Sequence, residues 1–101
     1  MIDGDTIRFE GEKIRIVGID TPEVHPPGCP REAELGSRAT QRMQALLNEG
    51  PFRLEATAGS DRDRYGRLLR SITRNGQSIG DTLISEGLAH SYNGGHKQGW
   101  C

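Results

Sequence analysis

Short runs of alternating apolar and polar residues, separated by turn-forming residues, dominate this chain of 101 residues. Alternation of this kind is typical of half-buried β-strands. It predicts five short strands, at residues 6–9, 13–19, 52–56, 67–73 and 88–92. The Glu-Gly-Glu sequence at 10–12 and the Asn75-Gly76 pair have turn chemistry, so we expect hairpins at both places.

A second periodicity, with apolar residues three and four positions apart, predicts a long helix over residues 31–48. A shorter helix is predicted over residues 78–86 and is ended by Gly87. Both helices are expected to cover one small core. The apolar face of the long helix consists of Leu35, Ala39, Met43, Leu46 and Leu47, and that of the short helix of Ile79, Leu83 and Ile84.

Residues 21–30 include four prolines. Proline fixes φ and lacks a backbone donor, so this density excludes a helix or a central strand and predicts a loop. Hairpin-linked strands with one long helix favour a small, mainly β, α+β barrel over a parallel βαβ sheet, and a five-stranded barrel of the OB type is one candidate. The chain length and the 33% hydrophobic content predict a single domain over residues 1–101.

Charge is distributed unevenly along the chain, although the formal net charge is only -1. Residues 1–23 carry six acids against three bases, and residues 52–74 carry six arginines against three acids. This polarity suits a cation site beside an anion-binding surface, although unevenly charged solvated faces are also common. The sequence contains no apolar run long enough for a membrane span and no signal-peptide pattern, so no membrane partner is expected.

Four carboxylates lie at the start of the first strand and at the end of the second: Asp3, Asp5, Asp20 and Glu23. Hairpin pairing would bring these strand ends together, and converging carboxylates repel each other or require a cation. Hard oxygen ligands favour calcium over zinc. The alternative is that the first pair forms a turn and the second pair only ends a strand.

Arginines accompany these acids. Arg15 lies on the strand that ends at Asp20, and Arg64, Tyr65 and Arg67 form a basic and aromatic cluster further along. Guanidinium groups, a cation and a carboxylate base are the groups needed for attack on a phosphodiester. By strand alternation, Arg15 is alternatively a surface residue on the polar face.

The motifs IDGDT at 2–6, IRIVGIDTPE at 14–23, DRYGRLL at 63–69 and LISEGLAH at 83–90 occur together and in this order. In this respect the chain resembles the staphylococcal nuclease (thermonuclease) family from Ile2 to about Tyr92. The resemblance implies an OB-type barrel with helices and a Ca²⁺-dependent phosphodiesterase that acts on DNA and RNA.

The resemblance also implies a role for each matching residue. Asp5 and Asp20 are similar to the two carboxylate ligands of calcium, and Thr21 is similar to the residue whose backbone carbonyl is a further ligand. Asp3 is similar to an acid that lies near the ligands but does not itself bind the ion. Glu23 is similar to the general base that activates water.

The matching basic and aromatic residues are implied to bind substrate. Arg15 and Arg67 are similar to the arginines that bind the phosphate and stabilise the pentacoordinate transition state. Arg64 and Tyr65 match the pair beside the terminal phosphate of the substrate. Tyr92, one position away from the family's base-stacking tyrosine, is the candidate for base stacking.

The implied reaction is in-line attack of water with the 5′ oxygen leaving, which gives products that end in 3′-phosphate. Single-stranded or frayed DNA and RNA are the implied substrates, and relatives of this family are commonly secreted or periplasmic. The alternative is a catalytically silent OB-fold module that binds nucleic acid or another partner. We expect the first barrel strand to be shortened, so the sequence does not decide whether the barrel closes. A monomer is expected, and a strand-exchange dimer is possible because a short strand leaves an open sheet edge. A third hypothesis is a fragment that does not fold alone.

Two cysteines, Cys29 and Cys101, occur in the chain. They predict a disulfide if the C-terminal tail folds back, and free thiols are the alternative. A zinc site formed by the two cysteines with His25 and His96 is a third hypothesis. It ranks last because the spacing of these ligands only loosely resembles a zinc motif.

Overall fold

The computed structural model describes residues 3–24, 26–92, 95 and 97–101. Within these residues the chain forms nine elements. In chain order they are β1 (Thr6–Phe9), β2 (Glu12–Ile16), β3 (Gly18–Asp20), α1 (Pro30–Asn48), β4 (Arg53–Ala56), β5 (Leu68–Arg74), β6 (Gln77–Ser78), α2 (Ile79–Ser85) and β7 (His90–Tyr92).

The larger sheet has the strand order β1-β2-β5-β4, with β6 paired to β5. The β2–β5 pair is parallel and the other pairs are antiparallel. The predicted mainly β, α+β class is therefore confirmed, but the sheet is mixed, because β2 also pairs with a strand that lies beyond the long helix. Both predicted hairpins form, and the φ angles of Asn75 and Gly76 are 56° and 78°.

The strands β1 and β4 are the two ends of this sheet order, and no pairing between them occurs among the described residues. The closure expected of a five-stranded barrel is therefore not made by backbone hydrogen bonds here. Side chains span this region instead, because the rings of Phe9 and Phe52 meet edge to face with centroids 6.3 Å apart.

The prediction of one continuous strand over residues 13–19 is wrong. The strand breaks at Val17, whose N–H donates to the carbonyl of Arg70, and Gly18 follows with a φ of 88°. A positive φ suits glycine and turns the chain out of the larger sheet. The continuation, β3, pairs with β7 instead and places Asp20 opposite His90. The break therefore moves Asp20 into a second, two-stranded sheet.

The helix α1 lies against the sheet through a face on which Gly36, Ala39, Met43 and Leu46 are buried. Leu35 and Leu47, which were expected on the same face, are only partly buried and pack against the edge of the core. The N-cap of this helix is Cys29, whose sulfur accepts the N–H of Glu32, and Pro30 begins the first turn. No helix of the described chain combines the length and the apolar character needed to cross a membrane.

In the structure the Sγ atoms of Cys29 and Cys101 are bonded, which joins the first turn of α1 to a residue 72 positions away. Neither cysteine is therefore a free thiol or a zinc ligand here. His25 and His96, which the zinc alternative also required, lie outside the described residues. The disulfide holds residues 97–101 against the loop that precedes α1.

Removal of this disulfide by the double substitution Cys29→Ser, Cys101→Ser should lower the stability of the protein markedly. A serine at position 29 retains an N-cap side chain, so the loss reflects the crosslink rather than the cap. For a sequence separation of 72 the chain-entropy model gives about 4 kcal/mol, or a fall of roughly 15–30 °C in Tm. Thermal unfolding followed by circular dichroism measures it. Thiols that react in the unreduced native protein would contradict the crosslink.

Candidate active site

Asp5 lies in a tight turn formed by residues 3–6. The N–H of Asp3 donates to the carbonyl of Thr6, and the N–H of Thr6 donates to the carbonyl of Asp3, both at 3.2 Å. A Cβ atom on Gly4 would lie 3.0 Å from the Thr21 methyl group and 3.1 Å from Ala39. Only glycine fits here without displacing a neighbour. The turn can therefore pack closely against Thr21, the residue after β3, and this packing places Asp5 beside it.

The Asp5 carboxylate is 5% exposed and is held from three directions. The hydroxyl of Thr6 and the backbone N–H of Thr21 each donate to it at 3.1 Å. The guanidinium of Arg15 lies 3.6 Å away. A buried carboxylate is tolerated because it is hydrogen-bonded and paired with a cation.

Arg15 is itself 9% exposed, so its position on the alternating strand does not make it a surface residue. Its guanidinium donates to the backbone carbonyl of Ile16 and, at 2.9 Å, to that of Ile19. These two carbonyls lie on either side of the strand break. Arg15 therefore supports the bend that separates β2 from β3 and at the same time faces Asp5.

Asp20, the last residue of β3, is 4% exposed. Its carboxylate forms an ion pair with the Lys97 ammonium, with Nζ 3.3 Å from Oδ1. Asp5 and Asp20 are thus both buried, each with a cationic side chain beside it, and the backbone of Thr21 connects them through its N–H bond to Asp5.

Glu23 is half-buried in the loop after β3. Burial, followed by the charges of Asp3 and Asp5, raises the pKa of the Glu23 carboxyl above its ordinary value. Asp20 adds to this increase in pKa, and Lys97 opposes it. The three aspartates therefore lie close enough to Glu23 to act on it electrostatically. The convergence of all four acids on one small volume, which the strand ends predicted, does not occur in the described part of the chain.

The donors at this place fit a hard cation. No three acidic, histidine or cysteine side chains converge on one point anywhere in the described part of the chain. An ion would therefore be held by Asp5 and Asp20 and would take its other ligands from backbone, water and substrate oxygens, as Ca²⁺ and Mg²⁺ commonly do. The buried Thr21 hydroxyl oxygen has no hydrogen-bond partner among the described residues, so the residue that follows Asp20 retains one unsatisfied polar atom.

A groove of about 770 Å³ opens beside the acids. It is lined by predicted substrate-binding residues together with one lysine that was not predicted. These residues are Arg15, Arg64, Tyr65, Arg67, Tyr92 and Lys97. The basic and aromatic groups from three separate parts of the sequence therefore share one surface.

Asp63 fixes the geometry of the basic turn. Its carboxylate accepts the Nε of Arg67 at 2.7 Å and the backbone N–H groups of Tyr65 and Arg67 at 2.9 Å. Burial pushes the pKa of Asp63 upward, but the hydrogen bonds from Arg67 and Tyr65 outweigh it and hold that pKa below its ordinary value. Arg67 also reaches the Thr6 hydroxyl at 3.4 Å, which connects the groove to Asp5.

Two tyrosines flank the groove differently. Tyr65 is 69% exposed, and the guanidinium of Arg64 lies 4.9 Å from its ring centroid. The hydroxyl of Tyr92 donates to the carbonyl of Gly95 at 3.2 Å, and the Lys97 ammonium lies 5.5 Å from the Tyr92 ring. The groove therefore presents one exposed aromatic ring and one that is tethered by its hydroxyl, each with a cationic group beside it.

Comparison with known proteins identifies the family. The family model described as staphylococcal nuclease homologue matches residues 13–99. The chain belongs to the staphylococcal nuclease family. The matched range includes Arg15, Asp20, Glu23 and Arg67 and begins after the turn that carries Asp5.

Individual relatives agree with this assignment. Endonuclease YncB of Bacillus subtilis is 41% identical over 92 residues, which cover 87% of this chain and 43% of that protein. SPbeta prophage-derived endonuclease YokF of the same species is 40% identical over 92 residues, covering 87% of this chain and 31% of that protein. Thermonuclease of Staphylococcus hyicus is 33% identical over 95 residues, covering 90% and 55%. The chain spans about half or less of the length of these relatives.

Several residues that organise this staphylococcal nuclease site were not singled out from the sequence. Glu32, in the first turn of α1, accepts the backbone N–H of Glu23 at 3.1 Å and that of Gly28 at 2.6 Å. It therefore holds both ends of the loop that carries Glu23. Thr6 and Asp63 were within the quoted motifs, but their roles depend on contacts that the motifs do not encode. Lys97 had no signal beyond its charge.

Gly36 of α1 sets the position of the Glu23 loop by close approach. A Cβ atom there would lie 2.8 Å from the carbonyl oxygen of Pro22 and 2.9 Å from Val24. Those contacts are shorter than packing allows, so the backbone of Pro22 and Glu23 and the side chain of Val24 rest directly on the helix.

Gly36→Ala should therefore destabilise the protein, although the same change in an open helix stabilises by about 1 kcal/mol. Displacement of Glu23 should also slow nucleic-acid hydrolysis roughly ten- to hundredfold. Thermal unfolding and the rate of DNA cleavage measure the two effects. Ser37→Ala, on the exposed face of the same helix, is the matched control. A higher Tm for Gly36→Ala with an unchanged rate would show that the close approach does not matter.

Proposed function

We propose that this chain is a Ca²⁺-dependent nuclease that hydrolyses DNA or RNA and leaves 3′-phosphate ends. The observation that carries the proposal is that the groove meets the buried acids through two ion pairs, because its lining residues Arg15 and Lys97 contact Asp5 and Asp20. Glu23 lies within electrostatic range of both aspartates. Membership of the staphylococcal nuclease family supports it, as does its similarity to proteins named endonuclease and thermonuclease.

The arginines of the groove bind the scissile phosphate in this proposal. Arg67 is oriented by two contacts with Asp63, through its backbone N–H and its Nε, and Arg15 by the carbonyls at the strand break. Guanidinium groups held in this way present a fixed set of donors to phosphate oxygens, so they cost little reorganisation as negative charge develops in the transition state.

Glu23 accepts a proton from the attacking water. Burial, followed by the charges of the neighbouring aspartates, raises the pKa of Glu23 and makes its negatively charged form less stable than usual, which suits a group that takes up a proton during the reaction. The loop that carries it is fixed by Glu32 and by contact with Gly36. When bound, the cation supplies positive charge that neutralises the phosphate and orients water.

Asp5 and Asp20, together with the backbone carbonyl of Thr21, hold that cation. Asp5 is held in the site by two hydrogen bonds. One of its carboxylate oxygens accepts from the Thr6 hydroxyl and the other from the Thr21 N–H. Asp3 stays behind the ligands and contributes negative charge to the same volume. Calcium is favoured because it accepts a flexible shell of oxygen ligands.

Single-stranded or frayed nucleic acid is the proposed substrate, because the groove is open and pairs cationic with aromatic side chains. Arg64 and Tyr65 lie next to each other at its rim, where a terminal phosphate and a base would contact them. Tyr92 also lines the groove, beside Lys97, and is the second proposed stacking group. Aromatic stacking tolerates any base.

A catalytically silent binding module is the second function considered for this fold. Such a module is expected to lose the acids or the arginines, and the chain keeps Asp5, Asp20, Glu23, Arg15 and Arg67 within one site. We therefore favour the enzyme. We also propose a secreted or periplasmic location and a monomer, with a strand-exchange dimer as the alternative; the Cys29–Cys101 disulfide suits an oxidising compartment.

Hydrolysis of single-stranded DNA by the purified protein should require calcium and should stop on addition of EGTA. Glu23→Gln should slow it by about 10²–10⁴-fold, because the amide retains the size of the side chain but accepts no proton from water. Labelled oligonucleotides followed on denaturing gels, with analysis of the product ends, measure both the rate and the 3′-phosphate. Cleavage at the same rate in EGTA would refute the metal requirement, and full activity of Glu23→Gln would refute the base.

Arg67→Lys should reduce the turnover by about 10²–10³-fold, even though the charge is retained, because lysine cannot bridge Asp63 and phosphate with a planar fork of donors. The thermal midpoint should change little by comparison, which separates catalysis from folding. Arg38→Lys, exposed on α1, is the control and should be indistinguishable from the unmodified protein. Near-full turnover of Arg67→Lys would remove Arg67 from the proposed machinery.

A further inference from the structure

The C-terminal tail lies across the acidic site and is anchored to the fold at its end. Cys101 is bonded to Cys29, and the Trp100 ring stacks on His90 with centroids 3.7 Å apart and planes inclined by 6°. His90 is paired with Asp20 between β7 and β3. Two anchors, one covalent and one aromatic, thus fix the tail beside Asp20.

Lys97 is the residue that this anchored tail places at the site. Its ammonium lies 3.3 Å from Oδ1 of Asp20, which is buried, whereas the Lys97 side chain is 49% exposed. Lys97 also lines both the arginine groove and the neighbouring cavity of about 390 Å³ formed by the tail, Asp20 and Glu23. It therefore lies where the acidic site and the substrate groove meet.

We infer that Lys97 is a built-in counter-cation that competes with the divalent ion for Asp20, and that the Cys29–Cys101 disulfide sets the strength of this competition. The inference rests on the proposed function, because it takes Asp20 as a metal ligand. The metal affinity of the protein then depends on its disulfide, although neither cysteine touches the ion.

The physical basis is charge balance. A buried carboxylate without a counter-ion is costly, and the ammonium supplies that counter-ion while the tail is in place. A divalent ion bound to the same oxygen would be repelled by the nearby ammonium. The ion therefore reaches its full affinity only after the ammonium has moved away. The Lys97 ammonium can move within the groove because its side chain is half-exposed and the Tyr92 ring, 5.5 Å away, offers an alternative contact.

The disulfide matters because it limits how far Lys97 can leave. Only Gln98, Gly99 and Trp100 separate the lysine from the crosslinked Cys101. A short tether raises the effective concentration of the ammonium near Asp20. Reduction of the bond would release the tail end and weaken the competition.

Calcium titration by calorimetry, without nucleic acid, tests the inference. Lys97→Gln should bind calcium about two- to fivefold more tightly than the unmodified protein, the upper part of the range expected for removal of a partly exposed ion pair. Lys13→Gln, an exposed lysine on β2, removes the same charge elsewhere and should leave the affinity unchanged. Thermal unfolding of each variant verifies that it is folded at the temperature of the titration.

The role of the disulfide is isolated by combining substitutions. Cys29→Ser with Cys101→Ser should also tighten calcium binding, and the same pair added to Lys97→Gln should produce no further change, because the crosslink acts through the lysine. Equal increases in affinity in both backgrounds would overturn the link between them. If the serine pair does not fold, Lys97→Gln against Lys13→Gln still decides the competition.

The outcomes separate this inference from the proposed function. Equal calcium affinities for the unmodified protein and Lys97→Gln would overturn the competition but leave the metal site intact. An absence of calcium binding in every folded variant would overturn the metal site and the competition together. Tighter binding by Lys97→Gln alone, not by Lys13→Gln, supports both.

Discussion

The buried Asp5 carboxylate is the interaction on which the rest of the site depends. It joins three parts of the chain, since it accepts from Thr6 in its own turn, from the backbone of Thr21 after β3, and faces Arg15 from β2. A buried negative charge is acceptable only while all of these contacts persist. The fold and the chemistry therefore share the same few atoms, and a change that loosens the turn loosens the active site as well.

The break between β2 and β3 gives this arrangement its shape. A continuous strand would have kept Asp20 in the larger sheet, whereas Gly18 turns the chain and β7 receives the continuation. Arg15 stabilises the break through the carbonyls on both sides of it. The same arginine also lines the groove, so in the proposed function a residue that maintains the backbone would also bind the phosphate.

The sequence predicted much of this because most of the information is local. The bounds of β1 were predicted without error and those of α1 to within one residue, since periodicity and turn residues encode them directly. The parallel pairing of β2 with β5 was not predicted, because it joins strands that are distant in the chain and leaves no local pattern. The acids and arginines were found as motif residues. Glu32, Gly36 and Lys97 were not, because their importance lies in what they touch after folding.

The disulfide also has a mechanical meaning. Because it connects Cys29 to Cys101, everything from α1 to β7 lies within one covalent ring, and the turn with Asp5 and the strands β1, β2 and β3 lie outside it. Tension applied at the C-terminal cysteine would pass through the sulfur bridge to the start of α1 and would bypass β7. Along the covalent path the load would then reach first the loop between Asp20 and the helix, which is the segment that carries Glu23.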